Sequence, residues 1–485
     1  MSAVHQENEP AALCLHAELL PNIRHITLYV SLPEAMRSQN VRPEICLSDS
    51  RRAITVSLPS PHEDATDTIK LPARVNEASR LALSVAGQRA KDPRDRGLGQ
   101  QEYSFRMQID DEDNSLLSRE EHMDSFVPWT AIDMTSCTRL CCRHCKNILL
   151  DSHVSRGSCA EEKDMQGWMW KDLPSGNWAE MMDFWHCHKP DPHEGHDHGH
   201  EHVNGATAED QNATVKGYGA ANQVVATAGT VLVDVATFLL TDSDCRGLKQ
   251  VLYSNPTPMH DMGKKEGGHF ITMLWSSIQL PYNYCFLVPN MVETKSTTAS
   301  PTEVQMELLC ENCNSLVGVE DIVAKGWRLF KTSLSVSKRF SEGECEDPEW
   351  ECHSLEVVVA AQLLELIERE SARRFVLHCG QGDGLLIWVF NPDMRYSNSS
   401  SDHSITAQRA MKILFQDVVD VDGMLHPDRG KASSLSLEEL RLPSSVLSAI
   451  VKTLKSRNMM LPKSAREFRE WKVGIMHRHD RTKNA

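Results

Sequence analysis

The chain has 485 residues, 40% of them hydrophobic and 24% charged, which is enough to bury a substantial core in about two to four domains. A formal charge of −16 argues against the broad basic surface that direct nucleic-acid binding needs. The longest apolar stretch, Thr230 to Leu240, is too short to span a bilayer and carries Asp234, so no membrane partner is expected.

Residues 14 to 108 read as β-rich. The run from Ile23 to Val30 alternates polar and apolar side chains, and Ala53 to Leu58 repeats the pattern. Shorter strand candidates are Thr68 to Leu71, Leu81 to Ala86 and Tyr103 to Ile109, separated by Pro, Ser, Asp and Gly turns. Lys91 to Gln101 reads as a charged loop. Met1 to Pro10 is polar with no apolar leader-like region, so a cytoplasmic or nuclear location is expected.

Phe126-Val127-Pro128-Trp129 looks like a join into a cysteine-bearing region. The fifteen cysteines are odd in number and irregularly spaced, and in a reducing compartment such residues serve as metal ligands more often than as disulfides. Two C-x-x-C knuckles stand out, Cys142 to Cys145 and Cys310 to Cys313, each followed by a strand-like stretch. Together they supply four thiolates for one tetrahedral structural Zn²⁺, with Zn–S distances of about 2.3 Å and no open coordination position. Cys141 and Cys137 are alternatives to Cys142, although the spacing to Cys145 favours Cys142. Free core cysteines, or a redox pair in either knuckle, are the other readings.

Beyond the first knuckle, Trp168 to Lys171 leads into Leu173-Pro174-Ser175-Gly176-Asn177-Trp178. Asn177 is placed to cap a helix from Trp178 to Trp185. Cys187, between His186 and His188, is the best candidate for a reactive thiol, because a neighbouring imidazole can lower its pKa or act as general base. The same trio could present a soft ligand to a partner's metal, form a second zinc site, or be a half-buried helix end. From about residue 189 to 222, His193, His196, His198, His200 and His202 alternate with Gly, Asp and Glu in a low-complexity insertion with weak metal affinity at most.

A strand pair is expected within Val224 to Leu240, with further strands at Lys249 to Tyr253, Phe270 to Leu280 and Arg328 to Val336. Apolar residues at helical spacing predict a helix over Ser354 to Ser371. Arg374 to Leu377 and Leu385 to Phe390 read as a hairpin around Gly380 to Gly384, with Asn391-Pro392-Asp393 ending its second strand. That glycine run lacks the Lys-Ser/Thr of a phosphate loop, which leaves Cys379 as a minor alternative nucleophile. Ala407 to Phe415 and Pro443 to Lys455 are helix candidates. Trp129, Trp178, Trp185 and Trp388 read as core or interface anchors.

In outline the fold class is α+β: a β-rich N-terminal domain over 1–125, a zinc-stapled β core over 126–335, and an α/β C-terminal domain over 336–485. The ordered set of Val127 to Ala131, Cys142 to Cys145, Leu173 to Trp178, Trp185 to His188, Cys310 to Cys313, Trp388 to Pro392 and Trp471 to Gly474 resembles the HECT-like ubiquitin ligases that bind ubiquitin-conjugating enzymes. The resemblance spans about residues 13 to 478. It implies a protein that accepts ubiquitin from a conjugating enzyme and assists its transfer to substrate lysines. It also implies a link to the endonuclease of mRNA 3′-end cleavage through Leu173, Pro174, Asn177, Trp178, Trp185, His186 and His188. The long HECT catalytic lobe with its late cysteine is not found. A zinc-stabilised, non-enzymatic binding or assembly factor for that endonuclease is the alternative function.

Overall fold

The computed structural model describes residues 13–33, 43–60, 65–81, 83, 102–110, 126–151, 167–173, 224–252, 306–337, 349–380, 382–399, 407–426 and 437–481. The first part of the chain supplies β1 (Cys14–Leu20), β2 (His25–Ser31), β3 (Glu44–Leu47), β4 (Ala53–Ser57), β5 (Thr66–Lys70) and β6 (Glu102–Gln108). Alternation in β2 buries Ile26, Leu28 and Val30 on one face, where they meet Ile54, Val56 and Ile69 of the small β3-β4-β5 sheet. Leu81, expected to open a strand, lies instead in a helical turn. Asn76 caps that turn by accepting the Ser79 amide at 2.9 Å, and a satisfied N-cap outweighs the short apolar run.

The middle of the chain forms β7 (Leu140–Cys142), β8 (Ile148–Leu150), β9 (Met169–Asp172), β10 (Thr230–Val233), β11 (Thr237–Leu240), β12 (Leu248–Leu252), β13 (Met306–Cys310), β14 (Leu316–Asp321), β15 (Gly326–Phe330), β16 (Leu334–Ser337) and β17 (Trp350–Glu351). A seven-stranded sheet runs β12-β13-β14-β15-β11-β10-β9, and a four-stranded one runs β17-β16-β7-β8. Their shared core contains Trp129, Leu149, Trp168, Phe238, Leu308, Leu329 and Leu334. The expected pair within Val224 to Leu240 is β10 and β11, paired antiparallel. The expected strand Phe270 to Leu280 and the histidine run lie outside the described residues.

The last part supplies α1 (Leu355–Glu370), β18 (Arg374–His378), β19 (Gly384–Asn398), β20 (Gln408–Val418), α2 (Val421–Leu425), β21 (Leu437–Arg441), α3 (Ser444–Met460), β22 (Glu467–Phe468) and β23 (Trp471–His477). Helix α1 appears where its periodicity placed it, with Ser354 as N-cap. Ala407 to Phe415, expected as a helix, is strand β20. Its residues favour a helix locally, but antiparallel pairing with β19 on one side and β23 on the other buries Ala410, Met411, Ile413, Leu414 and Phe415, so tertiary packing overrides propensity. Strand β19 does not stop at Pro392. It continues to Asn398 through register shifts at Val389/Asn391 and Asn391/Met394, the kind of irregularity that accommodates a proline in a sheet.

The chain's architecture is therefore α+β with β structure dominant. The expected α/β C-terminal portion is an antiparallel sheet in which β18–β21 is the parallel pair, with α1 and α3 on one face over Phe375, Ile387, Ile413 and Phe415. Gly474 lets α3 approach β23, because a Cβ there would sit 2.8 Å from Leu454 Cδ2. The large sheet has the order β22-β23-β20-β19-β1-β2-β6, so β1 joins the first part of the chain to the last through four residue pairs with β19. The face of β1 that carries His16 and Glu18 is buried. Lys412 Nζ donates to Glu18 at 2.6 Å, and His16 Nε2 lies 3.1 Å from the other carboxylate oxygen. Burial pushes this carboxyl up, but Lys412 and His16 outweigh it and hold it well below the usual range.

Candidate metal centre

The two knuckles have the same backbone. In each, the first cysteine's carbonyl accepts the amide four residues on, Lys146 to Cys142 and Asn314 to Cys310, both at 2.9 Å. The first cysteine's amide donates one residue further, to Asn147 at 2.8 Å and to Ser315 at 2.9 Å. Lys146 (φ 60°) and Asn314 (φ 57°) occupy equivalent left-handed positions that turn the chain back into β8 and β14. The amide after each first cysteine points away from the turn and ties it down, Arg143 to Ser333 O at 2.9 Å and Glu311 to Gly247 O at 3.0 Å. Each knuckle is thus fixed by its own turn and by one neighbouring strand or loop.

This geometry brings Cys142, Cys145, Cys310 and Cys313 together, all four sulfurs within 4.8 Å of one another. Cys142 Sγ is 3.6 Å from Cys313 Sγ, and Cys145 Sγ is 3.5 Å from Cys310 Sγ. Four bonds of about 2.3 Å to a tetrahedral ion would set the sulfurs about 3.8 Å apart. The donor set therefore fits one thiolate-bound metal ion with all four protein ligands supplied. Burial pushes the Cys142 and Cys310 thiols up. Burial acts on Cys313 too, but the Ser315 hydroxyl, 3.2 Å away, and the Ser315 amide favour its thiolate and bring it down to about 6. Metal binding would displace the remaining protons, so affinity rises with pH.

Supporting contacts come from residues that no motif pointed to. Asn147 Nδ2 donates to Gly247 O at 3.2 Å and lies 3.7 Å from Cys310 Sγ. Gly247 has φ 65°, and a Cβ there would stand 2.4 Å from Asn147 Nδ2, so glycine is required. Lys146 Nζ reaches Ser335 Oγ at 3.0 Å, and Arg143 Nη1 reaches His353 O at 2.7 Å. Cys141, the alternative to Cys142, is buried away from the cluster with its thiol raised to about 11 by burial. Cys137 is exposed and also stands apart from the cluster.

The join at Phe126 to Trp129 is buried, with Phe126 and Val127 in the core under α1 and Trp129 in the core that holds Cys142 and Cys310. Lys331 is fully buried, and its Nζ donates to the carbonyls of Pro128 at 2.9 Å and Trp129 at 3.0 Å, 5.2 Å from the Phe238 ring centroid. Burial drives its pKa down to about 7 against the partial pull of Asp234, Asp172 and Asp133. The His353 ring lies 4.6 Å from Trp129 and 5.1 Å from His479, and burial lowers both imidazoles to about 4. Arg481 pairs with Asp133, whose carboxylate also accepts the Thr130 amide. The last described residues of the chain are thereby fastened to the entry of the cysteine region.

Leu173 is anchored at the end of edge strand β9, its amide donating to Val233 O at 2.7 Å and its side chain packing near Leu232 and Leu239. Pro174, Asn177, Trp178, Trp185, His186, Cys187 and His188 lie outside the described residues. Cys379 is buried in the core at the end of β18. The glycine run beside it forms a hairpin connection, in which Gly380 (φ 86°) leaves room for the Arg441 guanidinium.

A family described as HECT-like ubiquitin-conjugating enzyme (E2)-binding matches residues 18–473. An uncharacterized protein of Schizosaccharomyces pombe is 23% identical over 361 residues, covering 72% of this chain and 77% of the relative. An uncharacterized protein of Saccharomyces cerevisiae is 20% identical over 333 residues, covering 68% and 67%. No solved structure matches the chain.

Proposed function

The chain belongs to the HECT-like family of proteins that bind ubiquitin-conjugating enzymes, and from that premise we propose that it is a ubiquitin ligase whose body is stapled by a structural Zn²⁺ on Cys142, Cys145, Cys310 and Cys313. The observation that carries this reading is the extent of the match, which runs from β1 to β23 and takes in both knuckles. A four-thiolate site with no open position stabilises a fold and leaves the chemistry to other groups. In the proposed transfer, the Cys187 thiolate attacks the carbonyl carbon of the thioester that joins ubiquitin to the conjugating enzyme. A new thioester forms on Cys187 and the enzyme's cysteine leaves as thiolate. A substrate lysine amine then attacks the new thioester, forms the isopeptide bond and regenerates Cys187.

Mixing the protein with ubiquitin-charged conjugating enzyme tests this directly. A reductant-sensitive ubiquitin adduct is expected, and Cys187→Ser should abolish it. An adduct that survives the substitution would remove Cys187 from the mechanism. Absence of any complex with conjugating enzymes would sink the ligase reading as a whole.

A second reading takes Leu173 to His188 as a recognition peptide, of which Leu173 is anchored at the edge of the sheet. In this role the protein would be a non-enzymatic assembly factor for the mRNA 3′-end processing endonuclease. Trp178→Ala should then abolish co-purification of the endonuclease while leaving ubiquitin transfer intact. Unchanged recovery would count against it.

A further inference from the structure

Four aromatic rings from three strands of the large sheet meet on the face opposite α1 and α3. Phe390 and Phe468 centroids are 6.3 Å apart, Phe390 and Trp388 are 5.8 Å apart, and Trp388 and Trp471 are 6.3 Å apart. The two indoles are half-buried over Leu414 and Val473 and form a floor. The two phenylalanines form a rim, 48% and 44% exposed. Phe390 stands at the register shift between Val389 and Asn391, where an irregular strand re-aims a side chain. Phe468 is presented by the two-residue turn of the β22–β23 hairpin, in which Arg469 takes φ 57°. A rim of this kind is unusual on a water-facing surface, and clustered aromatics with arginine are the composition of interface centres.

Two cations lie on these rings. The Arg374 guanidinium is 5.1 Å from the Trp388 centroid and that of Arg469 is 5.5 Å from Phe468. Both arginines are exposed, and among the described residues neither has a carboxylate in an ion pair. Glu470 accepts the Trp471 indole N–H at 3.1 Å and keeps its charge, so one carboxylate stands on the face beside the two guanidiniums, while Glu467 alternates with Phe468 and points to the other face of β22. In a chain of net charge −16, this is a locally basic aromatic surface. Its complement is a segment with apolar anchors flanked by carboxylates.

We propose that the Trp388–Phe390–Phe468–Trp471 face, with Arg374 and Arg469, docks an acidic, apolar-anchored segment of a partner protein. Its anchors would seat on the indole floor between the phenylalanines, and its carboxylates would meet the two guanidiniums. Trp388 to Pro392 and Trp471 to Gly474 lie more than seventy residues apart in the sequence. The sheet puts them side by side, on β19 and β23 flanking β20.

The test titrates the full chain with three short fluorescent peptides of equal length that share Leu and Phe anchors and carry Asp/Glu, Ser/Gln or Lys between them. The acidic peptide is expected to bind best. Phe390→Ser and Phe468→Ser should each weaken it about tenfold or more, the usual effect of removing an interface anchor. Arg374→Glu with Arg469→Glu should abolish the preference for the acidic peptide while leaving the melting temperature near that of the parent. Arg469→Asn, which suits the left-handed turn, serves if the charge reversals do not fold. Equal binding of all three peptides, or binding of none, overturns the proposal. So does concentration-dependent self-association that Phe468→Ser removes, since the occupant would then be a second copy of the chain. No conjugating enzyme enters the measurement, so its outcome is separate from that of the ligase reading.

Discussion

The middle of the chain is closed by four thiols, and its two ends are closed by paired strands and buried charges. In the cysteine cluster, residues 142 and 313 meet across 171 positions through sulfur alone. At the ends, β1 pairs with β19 across 382 positions at His16 and Asn398. Around that pairing lies a polar chain in which Tyr396 meets His477 at 2.8 Å, Arg457 donates to His477 at 2.9 Å, and Arg457 holds Glu356 with both terminal nitrogens. The first device offers four thiolates to one ion and the second rests on many small contributions. They should therefore fail under different conditions, metal removal for one and loss of a charge partner for the other.

The largest effect is expected from dismantling the cluster. Cys310→Ser with Cys313→Ser, or exposure to a strong chelator, removes a site of a type whose apparent binding free energy is about 10–16 kcal/mol, more than the ~5–15 kcal/mol that usually separates folded from unfolded protein. Loss of one bound zinc per chain should accompany loss of cooperative thermal unfolding and rapid proteolysis near the knuckles. Elemental analysis and a melt of the same sample read both. Unchanged melting after metal loss would show that the sheets alone hold the middle together.

Arg457→Ala attacks the other device. It leaves Glu356 buried without its guanidinium, and breaking such a pair costs about 3–5 kcal/mol. Burial pushes the Glu356 carboxyl up, but hydrogen bonds from His477 and Arg457 outweigh this and hold it at about 2. A depressed carboxylate stabilises the fold above its unfolded pKa of 4.5 and loses that contribution as pH falls toward 2. Denaturant melts should therefore show the parent weakening through this window. In the Arg457→Ala variant the pH dependence should be flatter and the stability at neutral pH lower. A parallel acid profile would place the acid sensitivity elsewhere.

Lys331 belongs to neither device, and its predicted effect is smaller. Its pKa of about 7 in the fold is below its unfolded 10.5, so the unfolded chain binds more protons between those values. Stability should rise with pH across that window, by on the order of 1 kcal/mol per pH unit at most, relative to a Lys331→Met variant that lacks the group. The neutral amine keeps two N–H bonds, enough for the carbonyls of Pro128 and Trp129. A difference between parent and variant that does not change with pH would mean the amine stays charged in the fold.

These residues show what the sequence carried and what it did not. The knuckles were legible because C-x-x-C is a local pattern with its own turn, and α1 was legible because its apolar residues repeat at helical spacing over sixteen positions. Strand β20 was not, because its local composition favours a helix and only β19 and β23 make it a strand. Lys331, His353 and His479 were also beyond reach. Each is an unremarkable polar residue whose burial depends on segments more than a hundred positions away, and no spacing rule marks them. Asn147 sat in plain view after the first knuckle, but its role requires Gly247, which only the fold supplies.

The smallest prediction separates the two knuckles, which share a backbone but differ at the left-handed residue. Asparagine tolerates that conformation and a long side chain does so less well. Asn314 Oδ1 also accepts a hydrogen bond from Lys249, whereas Lys146 in the equivalent position uses its ammonium on Ser335. Asn314→Lys makes the second knuckle a copy of the first, adds backbone strain and sets two ammonium groups against each other. It should destabilise by about 1 kcal/mol. Lys146→Asn relieves strain and forfeits one partly buried bond, two terms of about 1 kcal/mol that oppose each other, so it should be nearly neutral. Equal losses from both exchanges would mean that the turn conformation contributes nothing to the asymmetry and the side-chain contacts decide it.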